Sequence, residues 1–423
     1  MLRSLFRPLS WTILLIIYAG FTLTSCPTQP TNPPESATLS LEYTTCTEAW
    51  LRVSVLDSTD HAGLRVYRDD SLVVNYPGVS ADTVVIDTGL KPNTSYNYST
   101  VRVTNGHEES PRDLLPITTL PLTTNNFIWT ADTLGNWQYS TVLNDVAIID
   151  QDNIWAVGDI ATDSGRYNLA KWNGEQWRLE HVLGYASLRS IQYFSANDVW
   201  ANSSYPQHWD GKKWTLYRLD QSTRPGVIQA CWGTSSSNMY FVGNSGTIVH
   251  YDGTTFDRLE SGTTETINDI WGSRNPVTGE LTIYCAVTTL YTNNERRIVQ
   301  IHPEGTVTDA LQYRLNHSAM TIWFDGGSPV YLGGGGFFQY SWWTKHWQPV
   351  PDLPEYFVWD IAGNASNDIL AVGAYGFLAH FNGTKWTQLS TIQSAPSFRA
   401  VDIQDDFAVI LGRTANVILR GNR

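Results

Sequence analysis

Six side chains recur at one place in successive copies of a repeated segment: Asn144, Arg189, Gln229, Asn268, Trp359 and Arg399, with Met320 holding that place in a further copy. Two guanidinium groups and three carboxamides converging on one rim would offer hydrogen-bond donors to a carboxylate or a sugar, and the indole would add a flat apolar face. A solvated rim would use the same residue types, so the set defines a candidate ligand-binding rim without naming a reaction. Asp145, Asp269, Asp360 and Asp402 lie close by in sequence. Hydrolysis of a glycosidic bond needs two carboxyl groups about 5–10 Å apart. The competing expectation is therefore a carbohydrate-active enzyme, a glycosyl hydrolase or glucosyl transferase working at these acids. Because a repeat places acids on several copies in any case, a non-catalytic binding protein is the favoured reading.

No motif calls for a cofactor or a metal ion. The glycine run Gly333–Gly336 is followed by Phe337-Phe338 and not by the Lys-Ser/Thr of a phosphate loop, so it reads as a hairpin. Asp150-Gln151-Asp152-Asn153 lacks the glycine and the later acid of a calcium loop and reads as a turn. His250 and His380 occupy matching places in two copies, which makes them features of the repeat. Cys46, Cys231 and Cys285 are odd in number and cannot all pair; buried free thiols are expected, a Cys231–Cys285 disulfide is the alternative, and no catalytic residue is assigned. The formal net charge of −13, with no basic run, excludes the electrostatic footprint of a nucleic-acid binder.

These residues are carried by a repeat whose clearest copy is Asn367–Trp386: an Asn-Asp turn, an apolar run ending at Gly373, a second run ending at Asn382-Gly383, and a third opening at Trp386. Asn-Gly between apolar runs is a strong hairpin signal, because both central residues of a type I′ turn need positive φ. Aligning Trp155, Trp200, Tyr240, Tyr284, Tyr331, Leu370 and Val409 gives steps of 45, 40, 44, 47, 39 and 39 residues. A period near 42 with several strands per copy predicts a β-propeller over residues 120–423, seven-bladed by this alignment, with six or eight blades as the alternatives because the fourth and fifth copies are degenerate. The last copy is short of an outer strand. Phe127-Ile128-Trp129 and Asn136-Trp137-Gln138 precede the first copy and are expected to complete it, closing the ring. Trp172, Trp177, Trp209, Trp214, Trp347 and Trp386 recur at the same spacing and are expected to pack between copies.

The pattern Asn153-Ile154-Trp155-Ala156-Val157-Gly158 followed by Trp172-Asn173-Gly174-x-x-Trp177 resembles the repeats of secreted bacterial propellers, the sialidase-like and photosystem-assembly-factor-like groups. That resemblance implies an architecture; the Ser-x-Asp-x-Gly-x-Thr-Trp box of the sialidase-like group is absent.

Upstream, residues 36–119 read as about seven short alternating strands, an immunoglobulin-like sandwich, so the whole fold is expected to be all-β. Leu90-x-Pro92-x-Thr94-x-Tyr96 resembles the fibronectin type III signature. The resemblance implies that the Tyr96 hydroxyl bonds back to the chain and that Trp50 is the core Trp. Residues 1–25 carry Arg3 and Arg7, then an apolar stretch ending in Leu23-Thr24-Ser25-Cys26. They resemble a bacterial lipoprotein signal, which implies cleavage before Cys26 and its lipidation. Residues 26–35 hold four prolines and read as an extended tether. The expectation is a monomeric protein held to a membrane through Cys26, on the periplasmic face of the outer membrane, with a protein or glycan partner in the envelope.

Overall fold

The computed structural model describes residues 38–54, 63–77, 82–104, 107–108, 113–135, 140–184, 186–290, 296–311, 317–341, 344–390, 397–413 and 416–423. Cys26 and Asn136-Trp137-Gln138 lie outside them. Every regular element among the described residues is a β-strand, and no helix there is long and apolar enough to cross a membrane.

Between Thr38 and Thr118 the chain forms two antiparallel sheets. One has three strands, Thr38–Thr44, Glu48–Ser54 and Thr83–Thr88; the other is built on Gly63–Arg68 and Ser95–Thr104. Strict alternation puts Ala49, Leu51 and Val53 inward, where they meet Leu64, Val66, Val85, Tyr98 and Ile117. The same alternation turns Trp50 outward. It is half-buried, its Nε1 donates to Glu48 Oε2 at 3.0 Å, and it lies edge-on to Tyr43. The expected core Trp is therefore a surface residue: the core already receives Ala49 and Leu51 from that strand, and a one-residue register slip would invert the whole face. The Lys91 N–H donates to the Tyr96 hydroxyl at 2.9 Å, the return bond implied for that position.

From Val142 onward each copy of the repeat is one four-stranded antiparallel sheet, and there are seven such sheets among the described residues. We number them I to VII. Their first strands are Val142–Asp150, Ser190–Ser195, Ile228–Ser235, Ile267–Arg274, Ala319–Trp323, Val358–Ala365 and Phe398–Gln404. Each first strand packs on the next, and that of sheet VII packs on that of sheet I, so the sheets stand in a closed ring. Sheet VII takes its outer strand from Ile128–Thr133, which pairs with Val417–Asn422. This is the closure expected from Phe127-Ile128-Trp129. Asp132 on that strand pairs with Arg420 at 2.6 Å and accepts from Trp177 Nε1 of sheet I at 3.0 Å. The sheets are wedged by apolar clusters that each draw on two neighbours, such as Ile148, Ile154 and Ala156 of sheet I with Val409, Leu411 and Ile418 of sheet VII. Full burial of one such aliphatic side chain contributes roughly 1.5–3 kcal/mol, so stability resides in the joints between sheets more than in any one sheet.

The two-sheet unit docks on the ring at sheets V and VI. Tyr43 donates its hydroxyl to Asp325, and Asp325 Oδ2 also accepts from Ser366 N at 2.6 Å. Thr123 Oγ1 donates to Asn367 O at 2.7 Å, and Asn367 Nδ2 donates to Pro121 O at 2.8 Å. Two glycines allow the close approach. A Cβ on Gly327 would sit 2.2 Å from the Tyr43 ring, and one on Gly383 (φ +98°) would sit 2.3 Å from Cys46 Sγ. Tyr43→Phe is expected to leave Asp325 buried with one donor fewer, at a cost of about 1–3 kcal/mol. Limited proteolysis near residue 121 should read out the loosened joint, and an unchanged digestion rate would show that the hydroxyl does not hold it.

Candidate functional site

In six sheets the pairing register shifts near the start of the first strand, leaving one residue unpaired there: Asn144, Gln229, Asn268, Met320, Trp359 and Arg399. A β-bulge re-aims the side chain it frees. Arg189 stands at the matching place of sheet II, just before Ser190, with its N–H donating to Asn202 O at 2.8 Å. All seven line a central cavity of about 580 Å³. The same place near the start of each first strand puts one side chain per copy into the channel, which is why the repeat alone pointed to these residues.

The rim residues differ in how much bonding capacity they keep. Asn144 Nδ2 donates to Leu188 O at 2.7 Å and Asn268 Nδ2 to Ala319 O at 3.1 Å, each on the following sheet. These two carboxamides stitch neighbouring sheets together and offer little to a ligand. Arg189 Nη1 donates to Gln229 Oε1 at 2.9 Å, and Gln229 Nε2 to Asn244 Oδ1 at 2.7 Å, so Gln229 is a bracket that orients Arg189. Arg399 is different. Among the described residues its guanidinium has no hydrogen-bond acceptor; it lies over the Trp359 ring at 5.0 Å, while Arg413 lies over the same ring at 4.1 Å. The Phe357 ring packs tilted against Trp359 with centroids 4.3 Å apart. Burial lowers the Arg399 pKa from its ordinary value, and the Asp360 carboxylate opposes that shift. Arg413 sits beside Gly412, which pairs with Phe398, and so belongs to the same end of the ring; sequence reasoning missed it because it stands in a loop outside the repeat pattern.

The four acids have another task. Asp145 accepts from Ile191 N of sheet II at 2.9 Å and from Val146 N of its own strand at 2.8 Å. Asp269 does the same for Ile322 and Ile270, Asp360 for Val401 and Ile361, and Asp402 for Ile148 and Ile403. Each carboxylate is a clasp from one sheet to the next, and Ser190 Oγ repeats the clasp by accepting from Cys231 N at 3.1 Å. Both oxygens of each acid hold backbone amides, so protonating a leaving group would mean releasing one. Burial is the main cause that pushes Asp145 up to about 7 and Asp402 up to about 6, against the lowering effect of the amides. Asp269 and Asp360 are raised by burial as well.

A raised carboxyl pKa means that the folded state binds protons more tightly than the unfolded one. Stability from these groups is greatest below the ordinary value near 3.8 and falls as pH rises through about 6 to 7. A tenfold difference in proton affinity between the two states corresponds to about 1.4 kcal/mol, so thermal denaturation should show a loss of a few kcal/mol between about pH 4 and pH 8. An Asp145→Asn chain should flatten that slope, and a slope that survives unchanged would assign it elsewhere.

A Ser-His-Asp cluster that sequence reasoning did not single out joins sheets II and III at the other end of the ring. His208 Nε2 lies 2.8 Å from Asp198 Oδ1 and 3.2 Å from Ser236 Oγ, and Ser236 donates to the same Asp198 oxygen. A nucleophilic triad needs the carboxylate on one imidazole nitrogen and the hydroxyl on the other. Here one nitrogen meets both. The pairs His250 with Asn238 and His380 with Asp368, each at 2.7 Å, show that the motif belongs to the repeat. Cys46, Cys231 and Cys285 are free thiols buried in the structure, as expected. Among the described residues no group of three or more His, Cys, Asp or Glu could hold a metal ion.

Similar solved structures include YCF48 bound to D1 peptide, at 18% identity over 72% of this chain and 99% of that chain, TM-score 0.54. YCF48 from Cyanidioschyzon merolae is 15% identical over 70% and 98% of the two chains, TM-score 0.52. The WD40 β-propeller domain of Doa1 is 14% identical over 69% and 95%, TM-score 0.53. No family model matches the sequence, and no curated protein matches it. At these identities the likeness shows the fold: the ring is a β-propeller.

Proposed function

We propose that this chain is a lipid-anchored cell-envelope binding protein whose seven-bladed propeller takes a carboxylate-bearing segment of a protein partner at its channel mouth. In this reading residues 1–25 are a signal, Cys26 carries the lipid, residues 26–35 are a tether, residues 36–119 are a fibronectin type III-like module, and residues 120–423 are the propeller. The protein acts as a monomer on the periplasmic face of the outer membrane. The Tyr96–Lys91 bond and the two-sheet arrangement support the fibronectin-like assignment.

The observation that carries the binding reading is the pair of guanidinium groups, Arg399 and Arg413, on the Trp359 ring with no acceptor of their own among the described residues. Cations at a cavity mouth with no hydrogen-bond acceptor among the described residues favour an anion, and a planar carboxylate matches the guanidinium fork. Arg189, steered by Gln229, adds a third donor group. Tyr375, 79% exposed with φ 57° and packed near Tyr356, extends the surface from the same end of sheet VI. A bulky residue in the left-handed region is strained, and such strain collects where a chain meets a partner. YCF48 is similar in fold and has been solved with a peptide, which gives the peptide ligand a precedent on this architecture.

The test is calorimetric titration of a library of short peptides with a free C-terminal carboxylate against their amidated counterparts. Free-acid peptides should bind, and amidation should weaken them about tenfold or more. Equal affinity for both forms, or binding of acidic oligosaccharides alone, would overturn the protein-segment reading.

A further inference from the structure

A second cavity, of about 340 Å³, lies between the two-sheet unit and sheets IV and V of the ring. Its volume falls within the range of small-molecule sites, about 300–1,000 Å³, and such sites favour the seams between domains. One wall is the outward face of Trp50, whose orientation is set by the Glu48 bond and the Tyr43 edge. The opposite wall is sheet IV. Tyr284 is only 6% exposed, rests against Phe324 with centroids 5.1 Å apart, and has a hydroxyl with no hydrogen-bond partner among the described residues. Gln300 stands directly across from Tyr284 in the neighbouring strand, and Thr282 lies two residues along on the same face. The Gln300 amide and the Thr282 hydroxyl have no partner there either. A phenol, an amide and a hydroxyl that line one space without bonding one another present donors and acceptors to a polar ligand there.

The chemistry of that ligand follows from what lines the space. No Lys or Arg is among the lining residues, so a phosphate or carboxylate finds no counter-charge. The two acids present, Glu42 and Glu280, do not make a cation cage: Glu42 is held by Arg52, and Glu280 lies at the exposed edge. Uncharged donors and acceptors beside a half-exposed indole suit a polyhydroxylated ring with an apolar face. We propose that this cleft is a carbohydrate-binding site for one or two neutral hexose units, with Trp50 against a sugar face and Tyr284, Gln300 and Thr282 bonding its hydroxyls. The site is separate from the channel mouth and stands whether or not the mouth binds a carboxylate.

The probes are neutral tetrasaccharides (cellotetraose, maltotetraose, mannotetraose and chitotetraose) titrated into the full chain, with choline and spermidine as cationic controls. At least one saccharide should bind saturably at one site. Tyr284→Phe, which removes only the hydroxyl, and Gln300→Ala should each weaken it about tenfold without lowering the melting temperature. Trp50→Ala should abolish measurable binding, and Arg399→Ala should leave it unchanged. Failure of all four saccharides, binding indifferent to Tyr284→Phe and Gln300→Ala, or binding of the cations instead would each overturn the assignment.

Discussion

An Arg423→Ala chain is expected to unfold about 3–5 kcal/mol more easily than the wild type, the cost of stripping one partner from a buried ion pair. The Arg423 guanidinium is 4% exposed and grips both oxygens of Asp368, one at 2.7 Å. It also reaches Asp406 at 3.0 Å and the Asp405 carbonyl at 3.1 Å. Asp368 opens the second strand of sheet VI, so this contact ties sheet VII to sheet VI beside the joint with the two-sheet unit. Burial pushes the Asp368 carboxyl up, but bonds from His380, Arg423 and Asn364 outweigh it and hold it down to about 2. For a depressed carboxyl the stabilisation is complete above the ordinary value near 3.8 and is lost as pH falls toward 2. Urea denaturation at pH 7 should show the midpoint falling with an unchanged slope. The Arg423→Ala cost should shrink sharply in an Asp368→Asn background; full additivity of the two substitutions would refute the ionic account.

Replacing Arg189 and Arg399 together with alanine should reduce affinity for the carboxylate ligand about 100- to 1,000-fold while leaving the melting temperature within a few degrees. Hydrogen bonds to charged groups contribute about 1.5–3 kcal/mol each, and two such groups are removed. Arg399 has no protein acceptor to lose, so its truncation should not loosen the ring, and its like-charged neighbours Arg189 and Arg413 are relieved of repulsion. The Arg399→Lys chain should fall between, because a point charge replaces the fork but keeps attraction. Affinity that is unaltered in the double variant would move the ligand away from the mouth. A matching drop in stability would mean that the guanidinium groups serve the ring and not the ligand.

The parts of this molecule that were legible in its sequence are those where a local rule and the repeat agree. The Asn382-Gly383 turn, the apolar alternation and the 39- to 47-residue steps all point to one sheet per copy, and the bulge at each first strand keeps Asn144, Gln229 and Trp359 in phase. What was hidden is set by contacts between copies. Nothing near Asp145 in sequence announces that its second oxygen meets Ile191 N, 46 residues away, so a clasp looks like an acid catalyst. Asn144 and Asn268 look like ligand donors until the next sheet supplies their carbonyl partners. Trp50 was misassigned because family resemblance names a residue type while strand phase decides its direction.

The docking of the two-sheet unit fixes which way the molecule looks. In sheet VI, Trp359 follows Val358 at one end of the first strand, while Asn367, which touches the docked unit, lies in the turn after the opposite end. In sheet V, Asp325, which accepts the Tyr43 hydroxyl, likewise lies beyond the end of the first strand that is away from Met320. The arginine-lined opening and the docking joint therefore lie on opposite faces of the disc. A partner seated at that opening would leave the joint with the two-sheet unit free, so the two faces can be occupied independently.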